Sequence, residues 1–307
     1  MYTRNTRLIA VDLDNTLLTS QKDISDFTLR TLRECRRRGI LIAMSTGRSF
    51  VTSYDWAQRL KPDARVLTCG AVVYVGNEII ARTAIDVRTA NKLIGSCMQL
   101  KTTRELYVET EENLYGNSRE EIRDFPQLAR VQYNDFSLPM TAPVVSVYVR
   151  LYDMEAAKRI EEDFPDIASV YFSDQYMHAY TRKGVSKWEG IRALCGYYGF
   201  TAEEVTYFGD DFSDLIAMKN CGVSVAMANA IDPVKEVASH LTLNNDEDGV
   251  AVWIDKHILA NTSNTADISN TAGTSNTVGT SNTAGTSNTV DTSNTSTTSN
   301  NDEKSFL

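Results

Sequence analysis

Leu8-Ile9-Ala10-Val11-Asp12-Leu13-Asp14-Asn15-Thr16-Leu17 sets four consecutive apolar residues directly before two carboxylates one residue apart. A continuous apolar run of this length is the pattern of a parallel strand covered on both faces. The carboxylates therefore stand where a buried strand ends. Negative charge beside an apolar core is costly unless something positive neutralises it. A hard cation such as Mg²⁺ would do so, held by few carboxylates and leaving room for a phosphate. An Asp held near such an ion can attack phosphorus and form an aspartyl-phosphate. A plain strand-to-loop turn also accounts for the residues, because Asp and Asn are common turn formers.

Further runs along the chain repeat the pattern. Ile40 to Met44 runs into Ser45-Thr46-Gly47-Arg48, Val205 to Phe208 into Gly209-Asp210-Asp211, and Val223 to Ala226 towards Asn229, while Val66-Leu67 reads as one more strand. Ser25 is placed to cap a helix reaching Arg38, with Leu29, Leu32 and Cys35 on one face and Gly39 beyond its end. In open α/β sheets ligands bind outside the carboxyl ends of the strands. If these strands are parallel neighbours, Asp12, Asp14, Thr46, Asp210 and Asn229 meet in one cleft.

The middle of the chain reads differently. Asp86 to Lys101 has helical spacing, Val144 to Leu151 alternates in part like a strand with one covered face, Asp153 to Phe164 is helical, and short strands follow near Val170 and Met177. This is an α+β unit, helices on one side of an antiparallel sheet, inserted into the first domain. From about Asn261 a six-residue repeat of Asn, Thr, Ala or Val, Gly and Ser takes over, with too little apolar area to offset ordering entropy, and reads as a disordered tail.

The bulk numbers narrow the partners. The chain has 307 residues, 42% of them hydrophobic, and a net charge of −9, which speaks against nucleic acid or an anionic membrane surface. Five scattered cysteines form no CxxC, so neither a zinc site nor a disulfide framework is expected, and a reducing, cytoplasmic setting fits. No run resembles a signal peptide or a membrane span. Oligomeric state is not legible.

With these clusters assembled, the chain resembles the haloacid dehalogenase superfamily of phosphotransferases, and most of all its Cof-type branch with a class IIB cap. The resemblance rests on Asp12-Leu13-Asp14-Asn15-Thr16, Ser45-Thr46-Gly47-Arg48, Lys183-Gly184-Val185-Ser186-Lys187, Gly209-Asp210-Asp211-Phe212-Ser213-Asp214 and the closing Asn244 to Ala251. Ser213 and Cys69 stand where the branch usually has Asn.

The resemblance implies a Rossmann-like doubly wound parallel sheet with an inserted α+β cap: core over 1–82 and 184–257, cap over 83–183, tail over 258–307. It implies a Mg²⁺-dependent phosphatase of small phosphorylated metabolites, of sugar phosphate, flavin mononucleotide or pyridoxal phosphate type. A phosphomutase, or a binding protein on the same fold, is the alternative. Asp12 would be nucleophile and metal ligand, and Asp14 general acid and then base, its main-chain oxygen on the metal. Asp210 would bind the metal and Asp214 would act behind it, while Asp211 is ambiguous. Thr46, Gly47 and Lys187 would face the phosphate, with Lys187 offsetting charge on Asp12, and Arg48 would contact substrate or only pair with a surface carboxylate. Asn229 would join the phosphate-binding set and orient the acidic cluster, or serve a turn. His178 reads as structural, and Tyr107, Tyr115, Tyr148 and Tyr171 read as core or as cap-side pocket lining.

Overall fold

The structure is a computed structural model that describes residues 5–100, 105–111, 113–122, 130–172 and 176–260. The repeat region read as a tail lies outside these residues, apart from 258–260.

The chain opens with β1 (Leu8–Val11), β2 (Leu41–Ser45), β3 (Ala64–Leu67), β4 (Val72–Val75) and β5 (Glu78–Arg82). It then crosses into a second sheet of β6 (Leu106–Glu109), β7 (Leu114–Gly116), β8 (Val131–Tyr133), β9 (Ser146–Arg150), β10 (Ile167–Phe172) and β11 (Met177–Arg182). It returns through β12 (Val205–Gly209), β13 (Val223–Ala226) and β14 (His240–Leu241).

The first sheet has the order β14-β13-β12-β1-β2-β3-β4-β5. Its members from β14 to β3 are parallel, and the β3–β4–β5 edge is antiparallel. All four residues of β1 are fully buried, as a strand covered on both faces requires. Ser25 caps the helix Asp26–Arg37 by accepting from the Thr28 N–H, and that helix packs on Gly249–Ile254. Ile258 and Leu259 are also buried in this core, so the folded chain runs past the boundary expected at 257.

The β4–β5 hairpin escaped the sequence reading. Its strands meet at Val75↔Glu78 across Gly76-Asn77, where Gly76 has φ +57°. A two-residue turn of this kind needs a left-handed backbone, and a Gly-Asn pair between apolar runs is its local sign.

The second sheet, ordered β10-β11-β9-β6-β7-β8, is antiparallel except for β7–β8. Helices Val87–Gln99 and Met154–Asp163 cover one face, where Leu106, Val108, Val147, Val149 and Tyr180 form a core. Strand side chains alternate between faces. Tyr107, Glu109, Tyr148, Arg150 and Met177 consequently share the opposite face, the one that meets the first sheet.

After β3 the chain takes three left-handed residues in succession, Thr68 (φ +51°), Cys69 (φ +55°) and Gly70 (φ +102°). Only the last is relaxed there, and a β-branched Thr at positive φ is an outlier. A Cβ on Gly70 would lie 2.0 Å from the Ser186 carbonyl oxygen, at the cap of the helix Lys187–Tyr198. Gly70→Ala is therefore expected to cost at least about 2 kcal/mol in a denaturant titration, through backbone strain and displacement of that helix start. An unchanged midpoint would contradict this close approach.

Candidate active site

Three strands of the first sheet deliver the site. β1 runs into Asp12, β2 into Thr46 and β12 into Asp210, all at carboxyl ends of parallel neighbours. After Asp12 the chain turns tightly, with Asn15 left-handed at φ +56°, and Thr16 comes back to donate to Asp210 Oδ1 at 2.6 Å. Asp12 and Asp210 are each 6% exposed, and Asp214 is fully buried. One carboxylate oxygen from each of these three residues lies within 4.8 Å of the others.

Lys187, the first residue of its helix, is 1% exposed. Its ammonium lies 2.9 Å from Asp12 and 2.7 Å from Asp214. Asp214 is saturated: Oδ1 accepts from Lys187 and, at 2.6 Å, from the Tyr207 hydroxyl, while Oδ2 accepts from the N–H groups of Asp210 and Asp211. Its lone pairs are committed to the scaffold.

Three carboxylates against one ammonium leave two negative charges in a buried place. Burial first, then the neighbouring carboxylates, pushes both Asp12 and Asp210 far above the usual carboxyl range, with Lys187 acting against this at each. For Lys187 burial alone would lower the pKa, but Asp12 and Asp214 outweigh it and hold the ammonium well above its ordinary value. The ammonium needs one anion, which the fully hydrogen-bonded Asp214 supplies. Asp12 and Asp210 are then the pair short of positive charge, and a divalent cation fits that deficit in both charge and oxygen donors.

Asp14 behaves differently. Both of its oxygens accept from the Arg48 guanidinium, at 2.6 and 2.8 Å, and Lys22 lies 2.9 Å away. Burial would raise its carboxyl, yet the hydrogen bonds and charge of Arg48, then Lys22, bring it down to about 2. Thr46 is 1% exposed and accepts from the Arg48 N–H. Neither Thr46 nor Ser45 caps a helix, since the next one begins at Tyr54.

Asp12, Asp14, Thr46, Gly47, Arg48, Lys187, Asp210 and Asp211 line one cleft of about 230 Å³. The second sheet supplies its other wall with Tyr107, Leu114, Tyr148, Arg150, Phe172 and Met177. Tyr107 and Tyr148 thus face the cleft, whereas Tyr115 packs into the core beneath the helices and Tyr171 contacts His178. His178 is buried in its sheet, and burial lowers its pKa. Asn229 is exposed and ties loops together: its Nδ2 donates to the Asn15 carbonyl at 2.7 Å and its Oδ1 accepts from the Asn245 N–H. It borders a second cavity with Asp210 and Asp211. Thr16 and Tyr207, which orient the acidic cluster directly, carried no such assignment in the sequence reading.

A family model described as haloacid dehalogenase-like hydrolase matches residues 9–254. The 5-amino-6-(5-phospho-D-ribitylamino)uracil phosphatase YitU of Bacillus subtilis is 28% identical over 81% of this chain and 97% of its own length. The pyridoxal phosphate phosphatase YbhA of Escherichia coli is 26% identical over 83% of this chain and 99% of its own. A solved haloacid dehalogenase subclass IIB sugar phosphatase superposes with a TM-score of 0.73 at 23% identity, covering 82% of this chain and 98% of that one, and shares the fold.

Two outcomes follow from the charge balance. Unfolded carboxyls lose their protons near pH 4, whereas Asp12 and Asp210 keep theirs to higher pH in the fold, so raising pH favours unfolding until their folded values are passed. The metal-free protein should melt lower at pH 8 than at pH 6, and a divalent cation should raise the melting temperature more at the higher pH; equal shifts at both would count against the cluster as a cation site. Lys187→Met leaves Asp214 as an unpaired buried charge and should cost about 3–5 kcal/mol in urea titration.

Proposed function

Because the chain belongs to the haloacid dehalogenase-like hydrolases, we propose that it is a Mg²⁺-dependent phosphatase that hydrolyses small phosphorylated metabolites through an aspartyl-phosphate on Asp12. The observation that carries this reading is the buried set Asp12, Lys187, Asp210 and Asp214 under a cleft bordered by Thr46 and Arg48.

An Asp12 oxygen attacks phosphorus as the ester P–O bond breaks, and the leaving oxygen takes a proton from Asp14. Water then attacks phosphorus and yields its proton to the Asp14 carboxylate. The bond from Asp12 to phosphorus breaks, and inorganic phosphate leaves with Asp12 restored. Asp14 cannot give a proton while Arg48 and Lys22 hold it ionised. An incoming phosphate dianion competes for the Arg48 guanidinium, which frees Asp14 to turn towards the leaving group. The Thr46 hydroxyl and the backbone of Gly47 hold the phosphoryl oxygens, and Lys187 offsets charge as it moves onto Asp12. Mg²⁺, held by Asp12, Asp210 and the main-chain oxygen of Asp14 with Asp214 behind them, would neutralise the phosphoryl oxygens.

In this reading residues 1–82 and 184–257 do the chemistry and 83–183 select the leaving group. Tyr107, Tyr148, Phe172 and Met177 give the selecting wall an aromatic and thioether surface, which supports a substrate with a planar ring over a bare sugar. A cytoplasmic setting is supported by the five free cysteines. Net charge supports no nucleic-acid or membrane partner. Among the described residues no helix is long and apolar enough to cross a membrane.

Phosphate release from a panel of pyridoxal phosphate, flavin mononucleotide and sugar phosphates tests the reading. Asp12→Asn should lower kcat by roughly three orders of magnitude or more, because an amide is a poor nucleophile and a weaker metal ligand. Mg²⁺ should support turnover and Ca²⁺, with its looser geometry, should inhibit it. Full activity in Asp12→Asn, or after exhaustive chelation, would overturn the proposal.

A further inference from the structure

Glu109 has no part in the chemistry above, yet it is a carboxyl 6% exposed, at the end of β6, on the face of the second sheet that meets the first. Two hydroxyls reach it. Thr68 Oγ1, from the left-handed segment after β3, lies 3.0 and 2.9 Å from its two oxygens. The Tyr148 hydroxyl, from β9, lies 2.9 Å from Oε2 and also 3.3 Å from the Gly47 carbonyl oxygen.

These contacts converge on one short loop. Thr46 O accepts from the Cys69 N–H at 3.1 Å, Arg48 O accepts from the Thr68 N–H at 3.0 Å, and Gly47 O faces Tyr148. Three consecutive carbonyls are thus turned to a support made of Thr68, Cys69 and Tyr148, while Thr46 and Gly47 present their other sides to the cleft. The cap sheet reaches the same loop a second time, because a Cβ on Gly47 would lie 2.4 Å from the Phe172 ring. Thr68 and Cys69 hold strained left-handed conformations that persist only where the surroundings over-determine them. Glu109 is the group to which the support is tied from both sheets.

The proton count is specific. A single Tyr148 proton cannot serve Glu109 and Gly47 O at once. With Glu109 protonated, Thr68 donates to Glu109, Glu109 to Tyr148, and Tyr148 to Gly47 O, so each contact has its own proton. Burial pushes the Glu109 carboxyl up to about 7, against the hydrogen bonds from Tyr148, Thr68 and the Phe50 backbone N–H, which brings its own proton. A glutamine reproduces the pattern, accepting from Thr68 and donating to Tyr148.

We propose that Glu109 is the positioning residue of the Thr46–Arg48 loop, joining the inserted sheet to that loop's backbone through Tyr148 and Thr68. That this loop receives the phosphoryl group rests on the function proposed above. The test uses the full chain with Mg²⁺ and the variants Tyr148→Phe, Glu109→Leu and Glu109→Gln. It reads kcat and KM on p-nitrophenyl phosphate, inhibition by inorganic phosphate, and amide hydrogen exchange over residues 46–49. Tyr148→Phe and Glu109→Leu should each speed exchange in that loop, weaken phosphate inhibition and lower kcat/KM by about tenfold or more. Glu109→Gln should recover most of each loss, which a bulk packing role would not distinguish from the Leu variant. The proposal is overturned if Tyr148→Phe leaves exchange and phosphate inhibition at wild-type values, or if Glu109→Gln is as impaired as Glu109→Leu. Should Glu109→Leu not fold, Tyr148→Phe decides by the criterion already given, and a Glu109→Gln variant as impaired as Tyr148→Phe also overturns the proposal. A wild-type protein that releases no phosphate from any ester would sink the function, while loop exchange would still judge the clamp.

Discussion

The ammonium of Lys187, enclosed between Asp12 and Asp214 at 2.9 and 2.7 Å, is the contact on which the remaining geometry turns. It sits at the first residue of a helix whose start lies against Gly70, so the left-handed loop after β3 and the acidic cluster are placed by the same element. Asp214, by accepting from Lys187, Tyr207 and two backbone N–H groups, fixes the turn after β12 and hence Asp210. A buried ion pair is weak evidence for stability, since desolvation offsets most of its attraction. Here it serves placement: it sets one carboxylate aside as scaffold and leaves Asp12 and Asp210 as the pair that lacks a counter-charge.

The two sheets divide the remaining work through strand periodicity. Because side chains alternate, the same β6 and β9 that bury Leu106, Val108, Val147 and Val149 under helices must present Tyr107, Glu109, Tyr148 and Arg150 to the first sheet. The second wall of the cleft and the contact with the Gly47 carbonyl therefore come from one register. A one-residue slip in β9 would remove Tyr148 and Arg150 from the cleft and break the Tyr148 contact with Gly47 together.

The residues that were legible in the sequence are those whose signals are local. The run Leu8–Val11 followed by two carboxylates, the Ser25 cap, and the polar endings of β2 and β12 sit within a few positions of one another, and the parallel sheet then brought Asp12, Thr46 and Asp210 together as expected. What escaped depends on pairing across the chain. Thr16 orients Asp210 from 194 residues away, and Thr68 meets Glu109 from 41. Nothing in the composition of either segment marks such a bond. Tyr107 and Tyr115 look alike in sequence, and only their strand register sends one to the cleft and the other to the core. Asn229 shows the reverse difficulty: its type suits a polar site, but its amide is occupied in tying the Asn15 loop to Asn245.

Cys69 stands next to the loop that faces the cleft, its sulfur 3.4 Å from where a Cβ on Gly47 would be. A cysteine is nucleophilic and readily oxidised only as an accessible thiolate. Here burial pushes the Cys69 thiol up to about 12. The side chain is also 1% exposed, so it offers little thiolate and little access to a reagent. The same side chain that departs from the usual residue of this loop is thereby chemically silent. Beside the cleft, this sulfur is a packing group and not a reactive one.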